Sequence, residues 1–264
     1  MSERNIKLFT GDNVEVLRRE VADDSIQLTV TSPPYDNLRK YNGFAWDFES
    51  LAKELYRVTK PGGVVVWVVG DATVKGSETG TSFRQALYFK DIGFNIHDTM
   101  IYAKVNPLPQ SHNRYEQQFE FMFVFSKGEP SVWSPVKVPS KHGGKVEEWG
   151  KRRALEPMAG RREREASDKR TTSSDKPLFN IWFFPIGGGN MKHPGVFPEA
   201  LARDHILSWS NPGDIVLDPF LGSGTTGKMS ALSGRSFIGC DISQEYVTMA
   251  EKRIDSCSTT IQSK

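Results

Sequence analysis

The sequence predicts an α/β fold, doubly wound around a mostly parallel sheet and carrying a loop-rich insert. Three observations lead there. Apolar β-rich runs alternate with helical patterns at both ends of the chain, and Val64–Val69 (VVVWVV) is a continuous apolar run of the kind buried on both faces of a parallel sheet. Residues Lys137–Lys176 depart from both patterns.

The elements follow in order. Ile6–Thr10 reads as a strand, Val14–Val21 as a short helix, and Ile26–Thr31 as a second strand that stops at Pro33-Pro34. Phe48–Lys60 is helical, with Leu51, Leu55 and Val58 on one face, and Pro61-Gly62-Gly63 should end it. The strand Val64–Val69 comes next, then a helix around Ser82–Asp91 and strands at Phe94–Ala103 and Phe119–Phe125. After the insert, Phe179–Phe184 reads as a strand and Pro198–Ser210 as a helix. Ile215–Asp218 (strand), Thr225–Gly234 (helix), Ser236–Asp241 (strand) and Glu245–Ile254 (helix) complete the alternation, with no internal repeat.

Composition sets bounds but names no partner. The chain has 264 residues, 38% hydrophobic and 25% charged, which describes a folded globular protein rather than a disordered one. Two cysteines, Cys240 and Cys257, exclude a disulfide framework and a thiolate zinc cluster. No run approaches a membrane span and MSERNIKLF lacks signal-peptide architecture, so a cytoplasmic location is expected. The formal charge of +2 hides an asymmetry: Lys137–Lys176 holds twelve Lys/Arg against seven Asp/Glu, or +5, which leaves −3 for the rest. The organisation expected is residues 1–136 and 177–264 as two halves of one domain around a basic insert at 137–176.

Two motifs carry chemistry. Asp218-Pro219-Phe220-Leu221-Gly222-Ser223-Gly224-Thr225 follows an apolar strand and opens a helix, at the sheet edge where doubly wound folds bind ligands. Gly222 and Gly224 let the backbone approach a ligand, the alternative being a turn that merely lets a helix pack on a strand. Gly222-x-x-x-x-Gly227-Lys228 also spells part of a phosphate loop, but Met229 stands where the magnesium-binding Ser or Thr belongs. The carboxylate of Asp218 would repel phosphates and suits a cationic group such as an ammonium. Asp241, ending the next strand, is positioned either for ribose hydroxyls or as a helix N-cap.

The second motif is Ser32-Pro33-Pro34-Tyr35 at the end of another strand. Paired prolines stiffen the backbone and leave carbonyl acceptors, Ser32 adds an acceptor, and Tyr35 offers a flat face. That set suits a planar substrate with an exocyclic amine, the alternative being a structural turn.

In combination these segments resemble the DNA amino-methyltransferases, which move a methyl group from S-adenosylmethionine to an exocyclic base nitrogen. That family pairs a [Asp/Asn/Ser]-Pro-Pro-[Tyr/Phe/Trp] tetrapeptide with a Phe-x-Gly-x-Gly turn, and here the tetrapeptide precedes the turn, as in its beta arrangement. Further segments agree: Gly11-Asp12 with Leu17, Arg57–Gly63, Phe123–Lys127, and His193-Pro194-x-x-x-Pro198-Glu199-x-Leu201. The resemblance implies a Rossmann-like methyltransferase fold with circularly permuted motif order, in which the C-terminal helix should lie beside the N-terminal strand.

It also implies roles. Ser32 Oγ and the Pro33 carbonyl would accept the amine hydrogens, Pro34 would stiffen the site and Tyr35 would stack on the base. Asp218 would hold the methionine ammonium, with Lys192, His193 and Pro194 at its carboxylate end. Phe220, Gly222, Gly224 and Thr225 form the cofactor turn, and Asp241 would take the ribose hydroxyls. Asp12 would take the adenine amino group, unless it is a surface-turn aspartate. His193 has the alternatives of metal ligand or general base, but no cluster at ligand spacing accompanies it, and no metal is expected. Arg152, Arg153, Arg161 and Arg162 in the insert would contact DNA phosphates or base edges.

Double-stranded DNA is the implied partner, with the target base flipped out or already single-stranded. A homodimer and a restriction endonuclease counterpart are further partners the family offers, in a prokaryotic or phage setting. Ser at the first tetrapeptide position resembles the N4-cytosine branch; N6-adenine is the alternative, and an RNA or protein amine methyltransferase or a non-catalytic relic stand further off. Carbon-5 cytosine chemistry needs a nucleophilic cysteine, for which Cys240 in a strand and Cys257 in the tail are unsuited.

Overall fold

The computed structural model describes residues 5–34, 46–106, 113–141, 143, 146–148, 169–171, 173–185 and 198–261, with the side chains of 146–148, 169–171 and 258–261 excepted. In chain order the elements are β1 (Ile6–Thr10), α1 (Asn13–Glu20), β2 (Ile26–Thr31), α2 (Phe48–Val58), β3 (Thr59–Val69), β4 (Thr73–Val74), β5 (Ser77–Glu78), α3 (Thr81–Asp91), β6 (Asn95–Lys104) and β7 (Phe119–Ser126). They continue with β8 (Lys137–Pro139), β9 (Val146–Glu148), β10 (Lys169–Thr171), β11 (Asp175–Pro177), β12 (Ile181–Phe184), α4 (Glu199–Trp209), β13 (Ile215–Asp218), α5 (Thr225–Leu232), β14 (Ser236–Asp241) and α6 (Gln244–Ile261).

Eight strands form one sheet in the order β1-β14-β13-β2-β3-β7-β6-β12. Every pairing is parallel except those of β7, which runs against both neighbours. The sheet is thus α/β and mostly parallel, as expected. All six residues of β2 (IQLTVT) are buried, as a central strand requires, and the one long polar side chain, Gln27, donates from Nε2 to Ser131 Oγ at 3.2 Å. Helices α1, α2 and α3 follow one another along one side, and α4, α5 and α6 along the other. On the first side Phe89 of α3 stacks on Phe125 of β7 at 4.5 Å, amid Trp67, Phe94 and Leu55. On the second, His205 of α4 lies against Met122, with Nε2 3.4 Å from Sδ, and its ring sits 4.6 Å from that of Trp182.

The expected step from helix to strand at Pro61-Gly62-Gly63 differs. Helix α2 stops at Val58 and β3 begins at once, Thr59 pairing with Ile26. The next pair is Leu28 with Val64, so Lys60–Gly63 bulges out of the ladder and the strand resumes beyond it. Proline lacks the donor for a regular ladder position, and a bulge accommodates it. At the C-terminal end α6 runs seven residues past Ile254.

The permuted order is visible directly. β14 pairs in parallel with β1, Phe237 N donates to Asn5 O at 2.9 Å, and Thr10 Oγ1 at the end of β1 donates to Gln244 Oε1 of α6 at 2.8 Å.

The chain divides into two compact units, Met1–Ser134 with Asn180–Lys264, and Pro135–Phe179. In the second unit the loop-rich insert contains two small antiparallel pairs, β8 with β11 and β9 with β10. Their three-residue, highly charged strands lack the apolar alternation by which a strand is recognised in sequence. Among the described residues, no helix is long and apolar enough to cross a membrane.

Candidate active site

β13 and β2 are neighbours in the sheet, but the chain leaves them in opposite directions. From β13 it moves through α5 to β14; from β2 it moves through α2 to β3. Their carboxyl ends therefore flank a topological switch point, where helices diverge and leave a crevice. Asp218 ends β13, and Thr31-Ser32-Pro33-Pro34 ends β2.

The two motifs are joined here by a hydrogen bond. Thr31 Oγ1 donates to Asp218 Oδ1 at 2.7 Å, and Phe220 N donates to the same oxygen at 3.1 Å. Asp218 is 2% exposed. Burial pushes its carboxyl up to about 6 and the nearby Asp241 carboxylate adds to this, against the bonds from Thr31, Phe220 N and Thr226. A buried carboxylate held ionised at neutral pH against that penalty has a strong preference for a cation. A cation placed beside it would offset that penalty.

Asp241 ends β14 one strand away. Its Oδ2 accepts from Gly222 N at 2.9 Å and its Oδ1 from Ser243 N at 2.9 Å. The N-cap alternative fails in detail: α6 begins at Gln244, so Asp241 forms a turn before the helix and ties it to the glycine turn. Burial raises its carboxyl while these backbone donors oppose the rise. Asp12 follows β1 and N-caps α1, its Oδ1 accepting from Val14 N and Glu15 N at 2.9 and 3.1 Å. The family resemblance pointed to adenine, with a surface turn as the alternative; the cap occupies that oxygen in either case.

The glycine turn owes its form to packing as much as to ligand access. Gly224 has φ +78°, and a Cβ there would lie 2.7 Å from the Ala250 Cβ of α6. Phe220 directs its ring into an aromatic cluster, 5.0 Å from Trp46 and 6.3 Å from Trp67. Thr225 Oγ1 accepts from Arg253 Nη1 at 3.1 Å. The same nitrogen donates to Ser223 O and Ser223 Oγ at 3.1 and 3.0 Å, while Nη2 reaches Glu199 Oε1 at 2.5 Å. Lys228 Nζ donates to that glutamate oxygen at 2.7 Å, so the lysine of the partial phosphate loop is held in an ion pair. Arg253 and Thr31 are the site residues that sequence reasoning missed. Thr31 had a signal, a polar residue ending an apolar strand just before the tetrapeptide. Arg253, in an unremarkable helical pattern, had none.

Of the expected site residues, the structure brings Asp12, Ser32, Pro33, Pro34, Asp218, Phe220, Gly222, Gly224, Thr225 and Asp241 to one edge of the sheet. Tyr35, Lys192, His193, Pro194, Arg152, Arg153, Arg161 and Arg162 lie outside the described residues. Cys240 is buried within β14 and burial pushes its thiol well up, the opposite of an activated nucleophile. Among the described residues, no three His, Cys, Asp or Glu side chains gather as metal ligands.

Comparison with known proteins gives the family. The DNA methylase family profile matches residues 26–252. The chain is 51% identical over 247 residues to the orphan methyltransferase M.BamHII of Bacillus amyloliquefaciens, covering 90% of this chain and 92% of the relative. It is 28% identical to the type II methyltransferase M.BglII of Bacillus subtilis, covering 92% and 67%. Among solved structures, PvuII DNA methyltransferase (cytosine-N4-specific) superposes with a TM-score of 0.68 at 21% identity, covering 94% of this chain and 86% of that one. The complex of M1.HpyAVI with S-adenosylmethionine superposes with a TM-score of 0.60 at 25% identity, covering 94% and 99%. The profile spans most of the chain, and the chain belongs to the DNA methylase family, a DNA methyltransferase of the N4-cytosine/N6-adenine type that uses S-adenosylmethionine.

Proposed function

We propose that this methyltransferase acts on the exocyclic N4 of cytosine in double-stranded DNA. The observation that carries the reading is Ser32-Pro33-Pro34 at the end of β2, one residue beyond the Thr31 hydroxyl that bonds Asp218. Serine at the first tetrapeptide position offers a neutral hydroxyl acceptor, the feature associated with the cytosine branch. PvuII DNA methyltransferase, described as cytosine-N4-specific, shares the fold.

An exocyclic amine is a poor nucleophile because its lone pair is delocalised into the ring. Ser32 Oγ and the Pro33 carbonyl accept one hydrogen bond each from its two N–H groups, which favours pyramidal nitrogen and frees the lone pair. Pro34 holds the backbone rigid and Tyr35 stacks on the extruded base. S-adenosylmethionine, when bound, supplies an electrophilic methyl group on sulfonium. Asp218 holds the ammonium end, Asp241 the ribose hydroxyls and Asp12 the adenine amino group. Lys192, His193 and Pro194 lie at the carboxylate end, and Phe220, Gly222, Gly224 and Thr225 shape the turn beneath. Rate comes from alignment and electrostatics, with no covalent enzyme intermediate.

Residues 137–176 form the target-recognition insert between two halves of one catalytic domain. Arg152, Arg153, Arg161 and Arg162 meet phosphates or base edges there. The enzyme works in the cytoplasm in a type II modification setting. Mass spectrometry of hydrolysed substrate DNA tests the assignment. N4-methylcytosine is the expected product, and N6-methyladenine without it overturns the choice of base. Ser32→Ala should bind cofactor normally yet turn over slowly; near-normal turnover would remove Ser32 from the mechanism.

A further inference from the structure

β3 ends at Val69 on the same sheet edge as Thr31 and Asp218, and the chain then projects outward as a two-stranded hairpin. Thr73 pairs with Glu78 and Val74 with Ser77, leaving Lys75-Gly76 as the two-residue turn. Its φ values are +49° at Lys75 and +80° at Gly76, those of a type I′ turn. The first position of such a turn favours Asn, Asp or Gly, because a side chain in the left-handed region crowds the backbone. Lysine is strained there.

The hairpin is rigidly seated. Thr79 N donates to Ala72 O at 2.9 Å across its base. Asp71 braces it against the start of α3: Oδ1 accepts from Ser82 N at 2.9 Å and Thr79 Oγ1 at 3.2 Å, and Oδ2 accepts from Ser82 Oγ. The tip is pinned from a second segment, Arg114 Nη2 donating to Gly76 O and Nη1 lying 3.7 Å from Glu78 Oε1. Because β7 runs antiparallel, the residues before Phe119 arrive at the same edge, and Tyr115 beside Arg114 is fully exposed. Val74 is 54% exposed, and all four residues of the two strands face solvent.

An apolar valine, a cation on a left-handed turn position and an exposed aromatic ring thus share one rim at the sheet edge where Ser32–Pro34 follow β2. We infer that this rim, Val74-Lys75 with Arg114-Tyr115, is a DNA contact distinct from the basic insert. Lys75 meets a backbone phosphate, and Tyr115 stacks on a base next to the one withdrawn for reaction. Phosphate contact needs an accessible cation, and stacking needs an accessible ring face. A rigid mount keeps both in register with the crevice, which lies at the end of the adjacent strand.

The inference rests on the DNA-methylating activity proposed above, and the test separates the two. Tritiated-methyl transfer into unmethylated genomic DNA is measured for wild type, together with anisotropy titrations of a labelled mixed-sequence 24-base-pair duplex across salt concentrations. Lys75→Gly relieves the turn, so its melting temperature should hold or rise while duplex affinity falls about threefold to tenfold. The slope of log affinity against log salt should lessen by about 0.9, one phosphate's worth. Lys75→Asn, which also tolerates the left-handed region, should behave alike and serves if the glycine variant folds poorly. Tyr115→Ala should weaken binding about tenfold and Tyr115→Phe should restore it, since stacking needs the ring and not the hydroxyl. Cofactor binding by calorimetry should be unchanged in all four. Wild-type methyl transfer with unaltered affinity and salt slope in the Lys75 variants and Tyr115→Ala overturns the rim; absence of wild-type transfer overturns the activity beneath it.

Discussion

Replacing Asp218 by Asn should make the protein more stable and unable to hold its cofactor. The carboxyl sits at about 6 in the folded chain against an ordinary value of 3.8, chiefly through burial. A raised carboxyl binds its proton more tightly in the native state, so native stability is highest below pH 3.8 and is lost progressively as pH rises through about 6. At neutral pH the ionised side chain therefore costs on the order of 3 kcal/mol, about two pKa units at ~1.4 kcal/mol each. Asparagine keeps an oxygen for Thr31 and Phe220 N but carries no charge. Its gain at pH 7.5 should reach up to ~3 kcal/mol, a rise of roughly 6–10 °C in melting temperature, and should vanish near pH 4. Calorimetric titration with S-adenosylmethionine should find affinity lowered at least about a hundredfold, because the ammonium loses its counter-charge. In the wild type the same affinity should weaken about tenfold per pH unit below 6, as the carboxyl takes up its proton. Normal cofactor binding by Asp218→Asn, or a stability difference that ignores pH between 4 and 8, would refute the reasoning.

Three further expectations concern other parts of the structure. His205 is fully buried and its imidazole is pushed down to about 3, so it stays neutral in the folded chain while the unfolded chain protonates below 6.5. Stability should fall as pH drops from 6.5 toward 3, by ~3 kcal/mol at pH 4.5, and His205→Phe in urea titrations should flatten that limb. Arg253→Met removes the donor that fixes Ser223 O and Thr225 Oγ1, and should raise the cofactor KM about tenfold or more with a smaller change in kcat; equal loss in both would assign Arg253 a merely structural part. Gly224→Ala meets both a left-handed backbone and Ala250 at 2.7 Å, and should destabilise by about 2–4 kcal/mol in denaturant titrations.

What the sequence discloses depends on whether the signal is local. The strand IQLTVT, the run VVVWVV and the glycine turn after Asp218 each contain their own pattern, and each forms where the pattern stands. The α2–β3 junction misleads because Pro61-Gly62-Gly63 interrupts the strand ladder without ending it, and a bulge looks like a break until its partner strand is known. The bond from Thr31 to Asp218 spans 187 residues, and only the adjacency of β2 and β13 creates it. Arg253 is silent for the same reason: its partners Ser223, Thr225 and Glu199 come from a turn and two helices that meet only in the folded chain. The short strands of the insert are set by pairing between charged segments, which leaves no hydrophobic period to read.

The adjacency of β2 and β13 also bears on how the protein is made. β2, buried along its whole length, leaves the ribosome nearly two hundred residues ahead of β13, the neighbour that occupies one of its two edges. Once β3 has emerged, β2 has it on one side and unpaired amide and carbonyl groups on the other, flanked by side chains that belong in the interior. Such an edge is a template for pairing with another nascent chain. The window closes when Ile215–Asp218 emerges and docks, and that same event delivers Asp218 to Thr31. Closure of that edge and the joining of Asp218 to Thr31 are therefore one step, with β14 left to bridge β13 and β1 afterwards, so a slowing of translation before residue 215 should show first as aggregation.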